Sequence, residues 1–133
     1  MKKMMILSCL ILSWASITLL SCATVPKGPL APGELRLLSM EVPKDIRKAV
    51  PYEVVITFEA NGEPEIKDAC FYWSGEGPYC FKLKKVTFGS PGTFKVRLQT
   101  NNPGSYTLNC QVQYVREGKI RLTNYVGSQI YVR

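Results

Sequence analysis

The chain has 133 residues, a net charge of +7 and no histidine. This length suits one domain with a single hydrophobic core and argues against two. Without histidine there is no imidazole base, no Ser-His or Cys-His pair and no imidazole metal ligand. The composition therefore argues against a hydrolase, and we expect no enzymatic activity and no cofactor. The dispersed basic residues form either an ordinary solvated surface or one that is drawn to anionic lipid or polysaccharide, and they argue against nucleic acid as a partner.

The first 21 residues have the layout of an export signal. Lys2 and Lys3 precede an apolar run, Met4–Leu20, which is at the short limit for a bilayer-spanning helix and is diluted by serine and threonine. The run ends in Leu19-Leu20-Ser21-Cys22. This ending resembles the lipobox of bacterial lipoproteins, in which a leucine and a small residue precede an invariant cysteine.

The lipobox resemblance implies cleavage before Cys22, a diacylglycerol on its thiol and an acyl chain on the new amine. Each buried CH₂ contributes about 0.8 kcal/mol, so two or more acyl chains hold a protein firmly to a membrane. Ala23 follows the cysteine, and in diderm bacteria this resemblance favours the outer membrane. We therefore expect a lipid-anchored protein of the cell envelope. The alternatives are an ordinary signal peptide with an incidental cysteine, or an uncleaved anchor.

Residues 22–34 are predicted to be the lipidated cysteine and a Pro/Gly-rich tether. Prolines recur along it, at Pro26, Pro29 and Pro32. They exclude a helix or a central strand. At about 3.1 Å per residue, the stretch Ala23–Gly33 within it would extend roughly 30 Å from the membrane. The predicted organisation is thus a signal peptide at 1–21, the tether at 22–34 and one domain at 35–133.

From Leu35 onward, apolar and polar residues alternate, and turn residues interrupt the alternation every eight to twelve positions. This pattern predicts short antiparallel strands, with room for one short helical turn at Lys44–Val50. Turns are predicted at 61–64, 74–78, 89–92, 101–104 and 117–118. The predicted strands are Leu35–Val42, Tyr52–Glu59, Ile66–Trp73, Tyr79–Phe88 (bent in the middle), Thr93–Thr100, Tyr106–Val115 and Ile120–Tyr125, the last resuming at Ser128–Val132.

Some of these segments resemble an immunoglobulin-like domain. They are Trp73 late in the third strand, the run Pro91–Phe94 opening a strand, and Pro103–Cys110, which resembles the Gly-x-Tyr-x-Leu-x-Cys start of strand F. The resemblance implies an all-β fold, a single antiparallel sandwich of about seven strands, with fibronectin type III as a close alternative. The second strand has no cysteine to pair with Cys110, and Tyr106 stands four residues before Cys110 instead of two. Both departures argue against an antibody-type domain.

The mature chain would keep three cysteines besides Cys22 in an oxidising compartment. Alternation places Cys70 and Cys80 opposite the apolar side of their strands, on either side of the turn at 74–78. We therefore predict a Cys70–Cys80 disulfide and a buried free thiol at Cys110. A Cys70–Cys110 disulfide is the rival pairing. A metal or redox site is a poor fit, because the spacing contains no CxxC and no histidine is available.

Candidate contact residues lie around the turn after the third strand. Tyr72 and Tyr79 are expected near loops that often bind ligands in immunoglobulin-like domains, whereas Trp73 is expected in the core. Lys82, Lys84 and Lys85 form a basic strand face, which is either solvated and edge-protecting or an anion-binding patch. Glu63 and Glu65 flank Pro64 in a predicted turn, so we interpret them as solvated loop charges and not as an acid/base pair.

Two hypotheses for function follow from these observations. The first is a membrane-anchored, non-catalytic immunoglobulin-like module that binds an envelope protein or a glycan. The second is a small envelope enzyme or an assembly accessory factor. An enzyme would need a pocket with convergent carboxylates, whereas an accessory factor would need an exposed apolar patch or an unpaired strand edge.

Overall fold

A computed structural model describes residues 26–133, so the predicted signal peptide and Cys22 lie outside the described residues. The strands are β1 (Leu35–Glu41), β2 (Tyr52–Ala60), β3 (Glu65–Trp73), β4 (Glu76–Lys82), β5 (Val86–Thr87), β6 (Gly92–Leu98), β7 (Gly104–Arg116), β8 (Lys119–Leu122) and β9 (Val126–Val132). Within this part of the chain, no helix is long and apolar enough to cross a membrane.

The strands form two antiparallel sheets, ordered β1-β2-β6-β5 and β4-β3-β7-β8, with β9 also pairing with β7. The first order is that of strands A, B, E and D in an immunoglobulin domain, and the second is that of C′, C, F and G. The predicted immunoglobulin-like sandwich is therefore confirmed. Strand G is divided into β8 and β9, which pair with opposite ends of the long strand β7.

The core lies between the sheets and is built by the period-2 alternation of the sequence. In β2, Val54, Ile56 and Phe58 are all fully buried, and in β6 Phe94 and Leu98 face them from the neighbouring strand. The opposite sheet contributes its own alternating set, Ala69, Phe71, Leu108, Cys110, Val112 and Tyr114. Burial of one face of each strand fixes the register, because a slip by one residue would expose the whole apolar set.

Two predicted elements differ from the structure. Lys44–Val50 contains no helical turn, because Ile46 is buried and forms a parallel bridge with Val132. The predicted strand Tyr79–Phe88 is two strands in different sheets, since β4 ends at Lys82 and the chain crosses the open side of the sandwich before β5. Alternation shows where a chain is extended, but it does not show which sheet the chain joins.

The β3–β4 hairpin is tighter than predicted. Only Ser74 and Gly75 form the turn, with φ values of 48° and 87°, as in the two-residue hairpin turns that need positive φ at both positions. The register then shifts between Phe71 and Trp73, which brings Cys70 opposite Cys80. The disulfide between them is the predicted one.

The segment just before β1 is bonded to one end of the sandwich. Arg36, which is buried, donates from Nη1 to the Gly28 carbonyl at 2.8 Å and to Glu59 Oε1 at 3.0 Å. Asn61 Nδ2 donates to the Leu30 carbonyl at 3.1 Å, and Arg116 Nε donates to the Pro32 carbonyl at 3.1 Å. The chain thus leaves towards Cys22 from the end that carries the β2–β3 and β7–β8 turns. Residues 28–32 of the predicted tether are thus bonded to the domain.

Side-chain hydrogen bonds join the two sheets at the other end. Thr100 is buried, and its hydroxyl oxygen lies 2.8 Å from the Tyr52 hydroxyl and accepts from Trp73 Nε1 at 3.0 Å. Tyr106 donates from its hydroxyl to the Asn102 carbonyl at 2.8 Å. That bond is the tyrosine corner of immunoglobulin-like folds, formed here from a different sequence position.

Candidate functional site

The crossing from one sheet to the other creates a groove of about 650 Å³ along the open side of the sandwich. One wall is the end of β4 and the crossing segment Leu83–Lys85, and the other wall is β6. Strand β5 is only two residues long and pairs with Thr93 and Phe94 alone. The following part of that edge of β6, Lys95–Leu98, has no strand partner within the described residues.

The groove lining is strongly basic. It contains the predicted patch Lys82, Lys84 and Lys85, together with Lys95 and Arg97 from the opposite wall, and no aspartate or glutamate. All of these side chains are exposed. Of these five groove cations, only Lys95 has a carboxylate within 4.0 Å in the described part of the chain, that of Glu53 at 3.7 Å, in an exposed pair of little energetic weight. Several cations therefore share one concave surface without neutralising partners, and their potentials add.

The floor of the groove is apolar. Phe94 and Val96 are buried inward-facing residues of β6, and Phe81 and Leu83 are half-buried on the other wall. The Phe81 ring packs edge-on against Phe71, with centroids 5.9 Å apart. The edge of the core is thus accessible at this groove, because β5, the strand at this edge of the first sheet, is only two residues long. The lining offers charge and apolar surface, without a carboxylate or thiol that could transfer protons.

The structure does not bring the two predicted tyrosines to the groove. Tyr79 is exposed and packs edge-on against Trp73, with centroids 5.5 Å apart. Tyr72 lies on the outer face of the second sheet beside Tyr125, with centroids 5.9 Å apart. Desolvation, and then the neighbouring Tyr125 hydroxyl, raise the pKa of Tyr72. The predicted contact residues therefore divide among three places, and the role of each in ligand contact stays a prediction.

Two of the cationic groove residues, Lys95 and Arg97, were not predicted from the sequence to belong to a site. Their alternation with Phe94, Val96 and Leu98 correctly indicates that they face away from the core. Nothing in the sequence places them beside Lys84, because that proximity depends on the chain changing sheets between β4 and β5.

The cysteines lie on opposite faces of the second sheet. The Cys70–Cys80 disulfide is on the outer face, whereas Cys110 is a buried free thiol in the core cluster. This arrangement excludes the rival Cys70–Cys110 pairing, since side chains on opposite faces of a sheet do not meet. Burial raises the pKa of the Cys110 thiol to about 12, so the thiol is protonated and unreactive at neutral pH. Among residues 26–133, no cluster of three or more Cys, Asp or Glu side chains could hold a metal ion.

Comparisons with known proteins do not assign the chain to a family. No family model matches the chain, and no curated protein matches it. Among solved structures, the chain is similar to the CARDB domain of the PF1109 protein from Pyrococcus furiosus, which was solved in complex with di-metal ions. The similarity has a TM-score of 0.47 and 13% sequence identity, and it covers 74% of this chain and 92% of that one.

Proposed function

We propose that this protein is a lipid-anchored, non-catalytic binding module of the cell envelope, and that the basic groove is its binding surface. The observation that carries the proposal is the groove lining itself, which combines five cationic side chains with an apolar floor and contains no carboxylate. Such a surface can attract and hold an anionic ligand.

The anchoring part of the proposal rests on the lipobox Leu19-Leu20-Ser21-Cys22. The bonds from Arg36 and Asn61 to residues 28–30 support it, because they direct the chain towards Cys22 from one defined end of the sandwich. A lipid on Cys22 would then hold the domain within a few residues of the membrane. The groove runs along the side of the sandwich and stays accessible to other envelope components.

Intact mass of the protein extracted from host membranes tests the anchor. We expect the mass of Cys22–Arg133 with one disulfide plus acyl chains, and one thiol that alkylates only after unfolding. A chain that still carries Met1, or one cut elsewhere without lipid, would contradict the anchoring proposal.

A matched pair of variants tests the groove in the same preparation. Lys84→Ala/Lys85→Ala removes two groove cations, and Lys44→Ala/Lys48→Ala removes the same charge from exposed positions away from the groove. We expect detergent-solubilised envelope material to be retained less by immobilised groove variant than by the control variant. Equal retention by both would rule out the groove as the binding surface.

The second candidate function is an assembly accessory factor that holds a client protein. The observation that favours it is a pair of neighbouring apolar side chains on one face of β8, where Ile120 and Leu122 are 65% and 58% exposed. Large apolar side chains exposed near one another are typical of protein contact sites. Ile120→Lys/Leu122→Lys would abolish client capture under this hypothesis and would leave groove binding unchanged.

A further inference from the structure

We infer that the groove binds an extended peptide segment of another protein, one with alternating acidic and apolar residues, which adds as a strand to the free edge of β6. This inference rests on the proposed binding function and names the partner of the same groove. It follows from three features of β6 and its surroundings: an unpaired edge, a regular placement of cations and an apolar floor.

The unpaired edge supplies the main-chain contacts. Strand β2 pairs with β6 along its whole length, from Tyr52 opposite Leu98 to Phe58 opposite Gly92. On the other side, β5 stops after Thr93 and Phe94. An edge strand presents a row of backbone donors and acceptors, and an added strand pairs with them as in other β-augmentation complexes. The incoming segment would pair with the part of this edge, along Lys95–Leu98, that has no strand partner in the described residues once the chain leading into β5 turns away towards β4.

The side chains of β6 select the residues of the incoming strand. Lys95 and Arg97 point away from the core, while Phe94, Val96 and Leu98 point into it. A residue placed opposite Lys95 or Arg97 on an added strand lies on the same outer face, where an acidic side chain forms a favourable cross-strand pair. Its neighbours along the strand then point towards the apolar floor, where apolar side chains are favoured.

The second wall strengthens the same selection. Lys82, Lys84 and Lys85 line the groove from the opposite side, and in residues 26–133 none of them has a carboxylate within 4.0 Å. Elsewhere on the domain, Arg36 and Arg133 are paired with carboxylates at 3.0 Å and 2.8 Å. The groove therefore repels a basic strand from both sides. Lysines on a free edge discourage pairing with a second copy of the same edge while they attract an acidic one.

The test uses the full-length lipoprotein purified from membranes in detergent and a fluorescent peptide of alternating glutamate and valine, about eight residues long. The first control is the same peptide N-methylated at alternate amides, which keeps every charge and removes one row of main-chain donors. The second is a lysine–valine peptide. Polygalacturonate tests whether any linear polyanion binds equally well.

A matched pair of variants locates the contact. Lys95→Ala/Arg97→Ala removes the cations of the free β6 edge, and Lys119→Ala/Arg121→Ala removes an identically spaced pair from β8, an edge strand of the other sheet. We expect the first variant to bind the peptide about five- to tenfold more weakly, as the loss of two opposite-charge cross-strand pairs requires. The second variant should bind within about twofold of the unmodified protein, and both should retain the native circular dichroism spectrum.

Hydrogen exchange distinguishes main-chain pairing from purely electrostatic binding. The peptide should slow exchange at the alternate amides of Lys95–Leu98 that point away from β2, and the N-methylated peptide should bind at least about tenfold more weakly. Equal affinity for the N-methylated peptide, or equal loss in both variants, would refute strand addition. Tighter binding of polygalacturonate, lost on Lys95→Ala/Arg97→Ala, would also refute it and would leave the groove as an anionic-glycan site. Retention of envelope material without any peptide binding would overturn this inference alone, because the proposed binding function would survive.

Discussion

Gly92 occupies a position where the core leaves no room for a side chain. It is buried at the start of β6, opposite Phe58 of β2. A Cβ added there would collide with the Phe58 ring, lying 2.5 Å from Cε2 and 3.0 Å from Cε1. The ring cannot easily rotate away, because it is fully buried and packs against Phe88 and Phe94 with centroids 5.6 Å and 6.0 Å distant. We therefore expect Gly92→Ala to destabilise the domain through overpacking.

The magnitude follows from two opposing effects. Forcing a methyl group into a well-packed core costs about 1–3 kcal/mol, and the rigidity of the Phe58 site places Gly92→Ala at the upper end. The φ angle of Gly92 is outside the left-handed region, so alanine adds no backbone strain. Instead, alanine lowers the conformational entropy of the unfolded chain, and this effect offsets about 0.5 kcal/mol of the destabilisation. We expect a net loss of about 2–3 kcal/mol, a large share of the roughly 5–15 kcal/mol of an ordinary domain.

Urea unfolding followed by the fluorescence of Trp73, the only tryptophan beyond the predicted signal peptide, measures this loss. Phe58→Leu should rescue Gly92→Ala in a double-mutant cycle, with a coupling of at least about 1 kcal/mol, because the shorter side chain frees the space. Gly62→Ala is the control: its Cβ meets nothing within 4 Å but its φ is +89°. It should lose about 1 kcal/mol from backbone strain alone, without rescue. A stability within about 0.5 kcal/mol of wild type for Gly92→Ala, or no rescue, would refute the collision.

Three further predictions concern the hydrogen bonds and cysteines of the sandwich. Asn124 accepts from the Leu37 amide and donates to the Leu37 carbonyl, both at 2.9 Å; Asn124→Ala should therefore cost about 1–3 kcal/mol in urea unfolding, and an unchanged midpoint would contradict it. Replacing Cys70 and Cys80 by serine opens a loop with a sequence separation of 10 and should cost about 2–3 kcal/mol, whereas Cys110→Ala should leave the disulfide intact on non-reducing mass analysis. The pKa of the Cys110 thiol rises from 9.0 to about 12 on folding. Its contribution to stability is thus full below pH 9 and is lost as the pH rises towards 12, and iodoacetamide at pH 8 should label it only in urea; labelling of the native protein at the rate of an exposed thiol would be inconsistent with its burial.

Strict alternation made the core predictable from sequence. In β2, the alternation of Val54, Ile56 and Phe58 with polar neighbours leaves one way to bury the strand, and the observed burial follows it. The same parity placed Cys70 and Cys80 on the outer face and Cys110 on the inner face, which gave the correct disulfide. The alternation of side chains between the two faces is a local property of an extended chain, so it can be predicted without knowledge of the partner strands.

The side-chain bonds to the backbone of separate segments were not predictable from the sequence. Gly28 and Pro32 lie in a segment with the composition of a free tether, yet their carbonyls accept from Arg36 and Arg116. Asn124 bonds to the backbone of Leu37 from a position 87 residues away. Each of these contacts joins two separate segments of the chain, and no local sequence pattern links one segment to the other. The composition of a proline-rich segment is also the same whether the segment is free or bonded to the domain.

By itself, the sequence determined that residues beyond Leu35 form a sandwich of alternating strands, which faces are buried and on which face each cysteine lies, because these features depend on side-chain parity and on turn residues. Only the tertiary structure decided that β4 and β5 belong to different sheets, and thus that Lys84 and Lys85 share a groove with Lys95 and Arg97. The physical reason is that sheet membership is set by long-range pairing and core packing. A basic residue carries the same sequence signal whether it is dispersed in solvent or gathered with others along a free strand edge.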